Sequence, residues 1–138
     1  MRVFWDTNLF IYLTEDFGTL TAQTLQLHKR MRDRGDQLVT SVMTLGEMLV
    51  RGGLPGPAAA ETIESLLREA AVLSPFDDSA ARHYGVIRRD REIRPPDAIQ
   101  LACAVREGSN LFVTNDARLS RKVVPGGLIL SSLASVPI

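Results

Sequence analysis

Val3-Phe4-Trp5-Asp6-Thr7-Asn8 (residues 3–8) places three apolar side chains directly before an acid and two polar residues. The run from Met1 to Trp5 is short and contains branched and aromatic side chains, a composition typical of a strand buried on both faces. The sequence predicts that strand, with Asp6 at its carboxyl end. Leu111-Phe112-Val113-Thr114-Asn115-Asp116 repeats the arrangement and predicts a second buried strand over 111–114, again followed by an acid.

Outward from these two stretches, helical and strand patterns alternate along the chain. The remaining predicted strands cover residues 37–40, 72–76 and 128–131. The predicted helices cover residues 8–13, 21–34 (ended by Gly35), 41–51 (with Ser41 as N-cap and Gly52-Gly53 as the stop), 57–70 (opened by Pro57), 78–91 and 97–107 (opened by Pro95-Pro96). This alternation predicts one α/β domain over residues 1–138, with a parallel sheet flanked by helices.

Composition excludes several classes of protein. Hydrophobic residues make up 45% of the chain, which is too many for a disordered protein, and no apolar run is long enough to cross a bilayer. Cys103 is the single cysteine, so neither an intramolecular disulfide nor a thiolate metal cluster is possible. The first residues lack a signal segment, and we expect a cytoplasmic protein.

The net charge is zero, from 16 basic and 16 acidic side chains. The basic residues nevertheless occur in three groups, which are Lys29, Arg30, Arg32 and Arg34; Arg88, Arg89, Arg91 and Arg94; and Arg118, Arg121 and Lys122. Each group alone is typical of a solvated helix face, whereas together they would guide a phosphate backbone.

Two acids follow predicted strands, at the edge where parallel sheets bind ligands. These are Asp6 and Asp116, and each also suits an ordinary N-cap or turn. Asp97 lies in the first turn of a largely apolar helix, where the helix dipole alone favours an acid. Because that helix is expected to start near the same edge, all three acids are expected to converge there.

Glu47 lies in the segment Val42-Met43-Thr44-Leu45-Gly46-Glu47-Met48-Leu49-Val50, which is apolar nearly all round. That pattern predicts a buried helix. A carboxylate held in such a helix needs a cation or hydrogen-bond donors, because an unpaired buried charge is very unfavourable. The alternative is a structural ion pair with an arginine.

Four motifs in this order resemble the signatures of the PIN domain, and most closely those of VapC-type toxins of bacterial toxin–antitoxin pairs. The motifs are Val3-Phe4-Trp5-Asp6-Thr7-Asn8, Glu47 in a helix after the second strand, Pro96-Asp97-Ala98-Ile99, and Leu111-Phe112-Val113-Thr114-Asn115-Asp116. Asp-Thr-Asn alone is common by chance, whereas the ordered set is specific and spans nearly the whole chain.

The resemblance implies a five-stranded parallel sheet and a metal-dependent endoribonuclease using Mg²⁺ or Mn²⁺. It also implies an RNA substrate, a homodimer and a cognate antitoxin whose tail covers the active site. By the family pattern the catalytic and metal-binding residues are Asp6, Glu47, Asp97 and Asp116. Polar residues expected to support them are Thr7, Asn8, Thr114 and Asn115. For Thr7, Asn8 and Thr114, capping and turn formation are equally good explanations.

Competing interpretations are weaker. Haloacid dehalogenase-type phosphatases need a second acid two residues after the first, and Asn8 stands there. Receiver domains need a lysine at a strand end, which no motif supplies. The main alternative is a PIN-like module that binds RNA or protein without significant nuclease activity. We expect His28 and His83 not to be ligands, and Cys103 and Trp5 to pack in the core, with the Trp5 indole nitrogen hydrogen-bonded.

Overall fold

A computed structural model describes residues 1–51 and 57–138 of the chain. Five parallel strands of the described residues form one sheet in the order β3-β2-β1-β4-β5, with β1 at its centre. The strands are β1 (Arg2–Trp5), β2 (Gln37–Ser41), β3 (Val72–Ser74), β4 (Leu111–Thr114) and β5 (Ile129–Ser132). The helices are α1 (Thr7–Thr14), α2 (Thr19–Arg34), α3 (Val42–Arg51), α4 (Pro57–Ala70), α5 (Asp78–Ile87) and α6 (Pro95–Arg106). The predicted α/β fold with a five-stranded parallel sheet is confirmed.

The central strands are buried on both faces, as the apolar run in β1 predicts. Phe4 faces one side of the sheet and stacks on Phe112 of β4, with ring centroids 5.2 Å apart, against a core completed by α5 and α6. Trp5 faces the other side, because side chains alternate along a strand, and packs in a core with α1 and α2. Helices on both faces leave the carboxyl edge of β1 and β4 as the place where a site can open.

Predicted boundaries differ from the structure by a few residues at several ends. β3 ends at Ser74 rather than Phe76, because Pro75 has no N–H for the ladder. α5 ends at Ile87 instead of residue 91, and β5 begins one residue later than predicted. Gly35 ends α2 with φ 75°, as predicted. The predicted helix stop at residues 52 and 53 lies outside the described residues.

Ser41 ends β2 and caps α3 at once. Its Oγ accepts a hydrogen bond from the N–H of Met43 at 3.1 Å, which is the predicted capping role. No residue intervenes between the strand and the helix that begins at Val42. The strand end and α3 are therefore joined without a loop.

Two sequence-based expectations are wrong. α3 is not a buried helix, since Thr44 is its only buried side chain and Val50 is 86% exposed. The indole nitrogen of the fully buried Trp5 has no hydrogen-bond partner among the described residues, so the large ring is held by packing alone.

Cys103 is buried in the core as predicted. Among the described helices, none combines the length and apolar character required to cross a membrane.

Candidate active site

A cleft of about 300 Å³ opens at the carboxyl edge of the sheet, above β1 and β4. All four acids singled out from the sequence line it, although they come from four separate segments of the chain. The lining residues are Asp6, Thr7, Asn8, Glu47, Arg94, Pro96, Asp97, Gln100 and Asp116. The topology therefore brings the four acids together as expected.

Asp6 lies deepest and is held from two sides. One carboxylate oxygen accepts the Thr7 N–H at 2.9 Å, which caps α1, and the other accepts the Thr114 hydroxyl at 2.8 Å. Burial, reinforced by the nearby negative charges of Asp97 and Glu47, raises the pKa of Asp6 from 3.8 to about 6 despite these hydrogen bonds. The predicted cap role is thus real, and it orients a carboxylate that also carries unfavourable charge.

Asp97 and Asp116 share one cation, the guanidinium of Arg94. Arg94 Nε lies 3.7 Å from Asp97 Oδ2, and Arg94 Nη2 lies 3.6 Å from Asp116 Oδ2. Burial raises the pKa of Asp97, and the charge of Asp116 adds to this while Arg94 opposes it. The Arg94 side chain is 69% exposed, so this cation stands at the mouth of the cleft and is not locked in place.

Asp116 also has a local structural role. Its Oδ1 accepts the N–H groups of Arg118 and Leu119 at 2.9 and 3.0 Å, at the start of a 3₁₀ turn over Leu119–Arg121. Its Oδ2 is the oxygen that approaches Arg94. One oxygen therefore fixes the side chain while the other is directed toward the cleft.

Glu47 stands apart from the other three acids because its residue is exposed. It forms no ion pair with any described residue, so the arginine alternative is not supported there. The expectation that α3 buries this carboxylate is wrong, because Val42, Leu49 and Val50 of α3 are exposed, while Leu45 and Met48 pack partly against the core. Glu47 is placed at the cleft by the helix that follows β2 directly.

The supporting polar residues divide into two groups. Thr7 and Thr114 are buried beneath the acids, and Thr114 donates directly to Asp6. Asn8 is exposed and lines the cleft. Asn115 is directed away, since its side-chain amide donates to the Tyr12 hydroxyl at 2.9 Å, and it does not line the cleft. His28 and His83 do not line it either, and His28 packs against Trp5 instead.

Two polar lining residues, Arg94 and Gln100, were not assigned to the site from the sequence. Arg94 was noted only as one of a basic group, although its position three residues before Asp97 puts both on one helical turn. Gln100 is buried at 2% exposure, three residues after Asp97. The available signal was a lone amide between apolar neighbours (Ala98, Ile99, Leu101, Ala102) in a helix that the fold buries.

The donor set of the cleft suits a hard divalent cation. Its charged oxygen donors are four carboxylates, with no thiolate or imidazole among the lining residues, and oxygen donors favour Mg²⁺ or Mn²⁺. Burial raises the pKa of both Asp6 and Asp97 and so disfavours their charged forms, an effect that a bound cation would offset. Over residues 1–51 and 57–138, no group of three or more His, Cys, Asp or Glu side chains stands ready-made to hold a metal, and Asp97 and Asp116 instead approach Arg94.

Residues 3–124 match the family model described as the PIN domain. The chain belongs to the PIN domain family. Its match covers the strand ends, both helices that carry acids, and the whole cleft. The PIN assignment made from the four motifs is confirmed. Asp6 and Asp116 follow strands β1 and β4 of the parallel sheet.

Several solved structures share this PIN fold. VapBC2 from Rickettsia felis, bound to a DNA fragment from its promoter, superimposes with a TM-score of 0.72 at 17% identity, covering 96% of this chain and 98% of that one. VapBC-1 from nontypeable Haemophilus influenzae gives 0.70 at 18% identity, covering 98% and 100%. DNA-bound VapBC from Salmonella typhimurium gives 0.63 at 21%, covering 96% and 98%. No curated protein matches the chain.

Proposed function

We propose that this chain is a metal-dependent endoribonuclease and the toxin of a type II toxin–antitoxin pair. The observation that carries the proposal is the convergence of four carboxylates in one cleft of a PIN domain, with Asp6 partly buried and its pKa raised to about 6. A group kept in an unfavourable charge state at a cleft is typical of a functional site. A purely structural role would not need the other three acids beside it.

Asp6, Glu47, Asp97 and Asp116 are the proposed ligands of Mg²⁺ or Mn²⁺. When bound, the ion would supply a water of lowered pKa and stabilise charge on the phosphoryl oxygens. The chain's own residues orient the site, since the Thr7 N–H and the Thr114 hydroxyl fix the Asp6 carboxylate. The Arg118 and Leu119 amides do the same for Asp116.

Arg94 is placed to contact an RNA phosphate at the mouth of the cleft. It is already attracted to two acids there, and its exposure lets it turn toward an incoming polyanion. The exposed Arg118 and Arg121 lie on the segment that follows Asp116 and extend the positive rim. Phosphate contacts of this kind give affinity and not base specificity.

The proposed partner is a cognate antitoxin, because the solved structures that share the fold include a toxin–antitoxin complex from Klebsiella pneumoniae. The surface that suits its chain is an open apolar groove of about 500 Å³ between α1 and α3, lined by Ile11, Met43, Gly46, Glu47, Val50 and Arg51. Glu47 lines both the groove and the acidic cleft. A peptide in the groove would therefore end at the active site. A homodimer is proposed from the resemblance.

The test is cleavage of transfer RNA and a synthetic single-stranded RNA by the purified chain, freed of antitoxin, with Mn²⁺ and with chelator. We expect cleavage only with Mn²⁺, and a loss of about 100-fold or more in Asp6→Asn and in Asp97→Asn. Asp33→Asn is the matched control, because Asp33 is an exposed acid that pairs with Lys29 and does not line the cleft. Identical RNA profiles with Mn²⁺ and with chelator would contradict the nuclease and favour the binding module.

A further inference from the structure

A cluster of five buried polar side chains lies directly beneath the acidic cleft. Its members are Thr7, Thr40, Ser41, Thr44 and Gln100, each at most 2% exposed. Buried polar groups are unfavourable unless they are hydrogen-bonded, and five in one place need an explanation. Within the described part of the chain, none of their side-chain atoms is left without a partner.

Gln100 is the centre of this cluster. Its Nε2 donates to Thr7 Oγ1 at 3.0 Å and to Thr44 Oγ1 at 2.9 Å, while its Oε1 accepts the Ser41 hydroxyl. The amide oxygen is directed at Ser41, whose Oγ accepts the Met43 N–H and donates its own hydrogen to Oε1. All three polar sites of the amide are used.

The threonines join the amide to the sheet. Thr44 Oγ1 lies 3.0 Å from Thr7 Oγ1 and 2.8 Å from Thr40 Oγ1. Thr40 Oγ1 in turn donates to the carbonyl oxygen of Trp5 at 2.9 Å, at the end of β1. The cluster therefore ties α1, α3 and α6 to the strand ends from which the site is built.

Two of the three partners of Gln100 lie close to a cleft acid in the chain. Thr7 follows Asp6, and Thr44 lies three residues before Glu47 on the same side of α3. Gln100 itself lies three residues after Asp97 on the same side of α6. One amide thus connects the backbone segments that carry three different carboxylates.

We propose that Gln100 is a positioning residue that sets the spacing of Asp6, Glu47 and Asp97 for a divalent cation. This inference rests on the proposed function. α3 is otherwise packed only on part of its surface, with Thr44 its one buried side chain, so the bonds to Thr44 hold Glu47 in range of the other two acids. Without the amide, α1, α3 and α6 lose their common polar anchor.

The test uses two apolar variants that keep side-chain shape. Gln100→Met retains length without hydrogen bonds, and Thr44→Val retains the branched shape without the hydroxyl. We expect both to weaken Mn²⁺ binding and to lower kcat by about 10- to 100-fold, the usual effect of removing a partner that orients ligands, with KM for RNA nearly unchanged. Mn²⁺ binding is measured without RNA, by electron paramagnetic resonance of the free ion.

Two controls separate positioning from general damage. Thr44→Ser restores the hydroxyl and should restore Mn²⁺ affinity and kcat. Ser74→Ala removes another buried hydroxyl, which also bonds α6 through the Cys103 carbonyl at 3.3 Å but is outside the cluster, and should behave as wild type. If Gln100→Met does not fold, the comparison of Thr44→Val with Thr44→Ser decides.

The outcomes are distinguishable. Wild-type Mn²⁺ affinity and kcat in folded Gln100→Met and Thr44→Val would overturn the positioning role while leaving the nuclease intact. Equal losses in Ser74→Ala would overturn it too, since any buried hydroxyl would then do the same. A wild-type chain that neither binds Mn²⁺ nor cleaves RNA would overturn the proposed function and this inference with it.

Discussion

Helices α3 and α6 each bring one acid to the cleft from a largely apolar sequence, yet only α6 is buried. α6 buries Ala98, Gln100, Leu101, Ala102, Cys103 and Ala104, whose mostly small side chains allow close packing on the sheet. α3 buries Thr44 alone and exposes Val42, Leu49 and Val50. A largely apolar helix therefore has a face that must be shielded from water, either by the core of its own chain or by a partner protein.

The acids of the two helices differ in the same way. Asp97 is half-buried, with a raised pKa and a resident cation in Arg94, whereas Glu47 is exposed and without an ion pair among the described residues. The side of the cleft formed by α6 is thus packed into the core, whereas the side formed by α3 is the open side. The open side also borders the apolar groove proposed for the antitoxin.

Truncating one leucine in each helix tests the difference most strongly. Leu101→Ala should lower the free energy of unfolding by about 2–5 kcal/mol, because Leu101 is fully buried in the core. Leu49→Ala, at 39% exposure, should lower it by less than about 1 kcal/mol. Urea-induced unfolding followed by circular dichroism gives both values. Equal losses would mean that α3 is packed in solution as tightly as α6.

Asp6→Asn should stabilise the metal-free protein at pH 7.5. The folded chain binds the Asp6 proton more tightly than the unfolded chain, since the pKa rises from 3.8 to about 6. Stability contributed by that proton is complete below pH 3.8 and is lost as the pH rises through about 6. Asp6→Asn should therefore raise the free energy of unfolding by about 2–3 kcal/mol at pH 7.5, because each pKa unit corresponds to about 1.4 kcal/mol. This difference becomes smaller toward pH 5.

The control for that effect is Glu47→Gln, on the open side of the cleft. Because Glu47 is exposed, its replacement should change the unfolding free energy far less than Asp6→Asn does. Both are measured in chelator at pH 5 and pH 7.5. If the unfolding free energies of wild type and Asp6→Asn changed identically between these two pH values, the Asp6 carboxylate would not be destabilising the folded chain.

Arg94→Gln should lower the unfolding free energy by less than about 1 kcal/mol, because its ion pairs are long and largely solvated. The pKa of Asp97 should rise further, since Arg94 is the charge that opposes the rise. Carbon-13 NMR titration of the Asp97 carboxyl group measures the change. If the pKa of Asp97 did not change in Arg94→Gln, the Arg94 guanidinium of the wild type would lie away from Asp97 in solution.

Val50→Lys should have the smallest effect of the series. Val50 is 86% exposed on α3, so the unfolding free energy should stay within about 0.5 kcal/mol and RNA cleavage should be unchanged. The same urea and cleavage assays apply, with Leu49→Ala as the neighbouring reference. A loss larger than that of Leu49→Ala would place Val50 inside an interface of the isolated chain.

The sequence predicted the sheet and the placement of Asp6, Asp97 and Asp116 at its carboxyl edge, because strand ends and helix starts are local features. The runs around Phe4 and Phe112 identify buried strands without further context. Glu47 was assigned to the cleft by the family pattern, while the physical argument offered for it, a buried α3, was wrong. Hydrophobic periodicity reports which face avoids water and does not report whether the same chain covers that face.

The polar cluster around Gln100 was beyond sequence reasoning for another reason. Gln100 stands out as a lone amide in its helix, but nothing in the sequence pairs it with Ser41 or Thr44, and Ser41 and Gln100 are 59 positions apart. Only the packing of α6 against β2 shows that they share a hydrogen-bond network. The departure of Asn115 toward Tyr12 is likewise a matter of side-chain direction, which adjacency to Asp116 does not reveal.

The cleft can form only after β4 has paired with β1, and this determines when it appears during synthesis of the chain. Thr114, which donates to Asp6, lies 108 positions after it in the chain. A growing polypeptide makes β1, α1 and α3 early, but it cannot hold Asp6 in place or add Asp116 until β4 has been synthesised and inserted beside β1. Contacts so distant in the chain form slowly, because a long loop must close before they are made. The acidic centre is therefore assembled only after β4 has been synthesised, and until then Asp6 lacks the hydroxyl that holds its carboxylate.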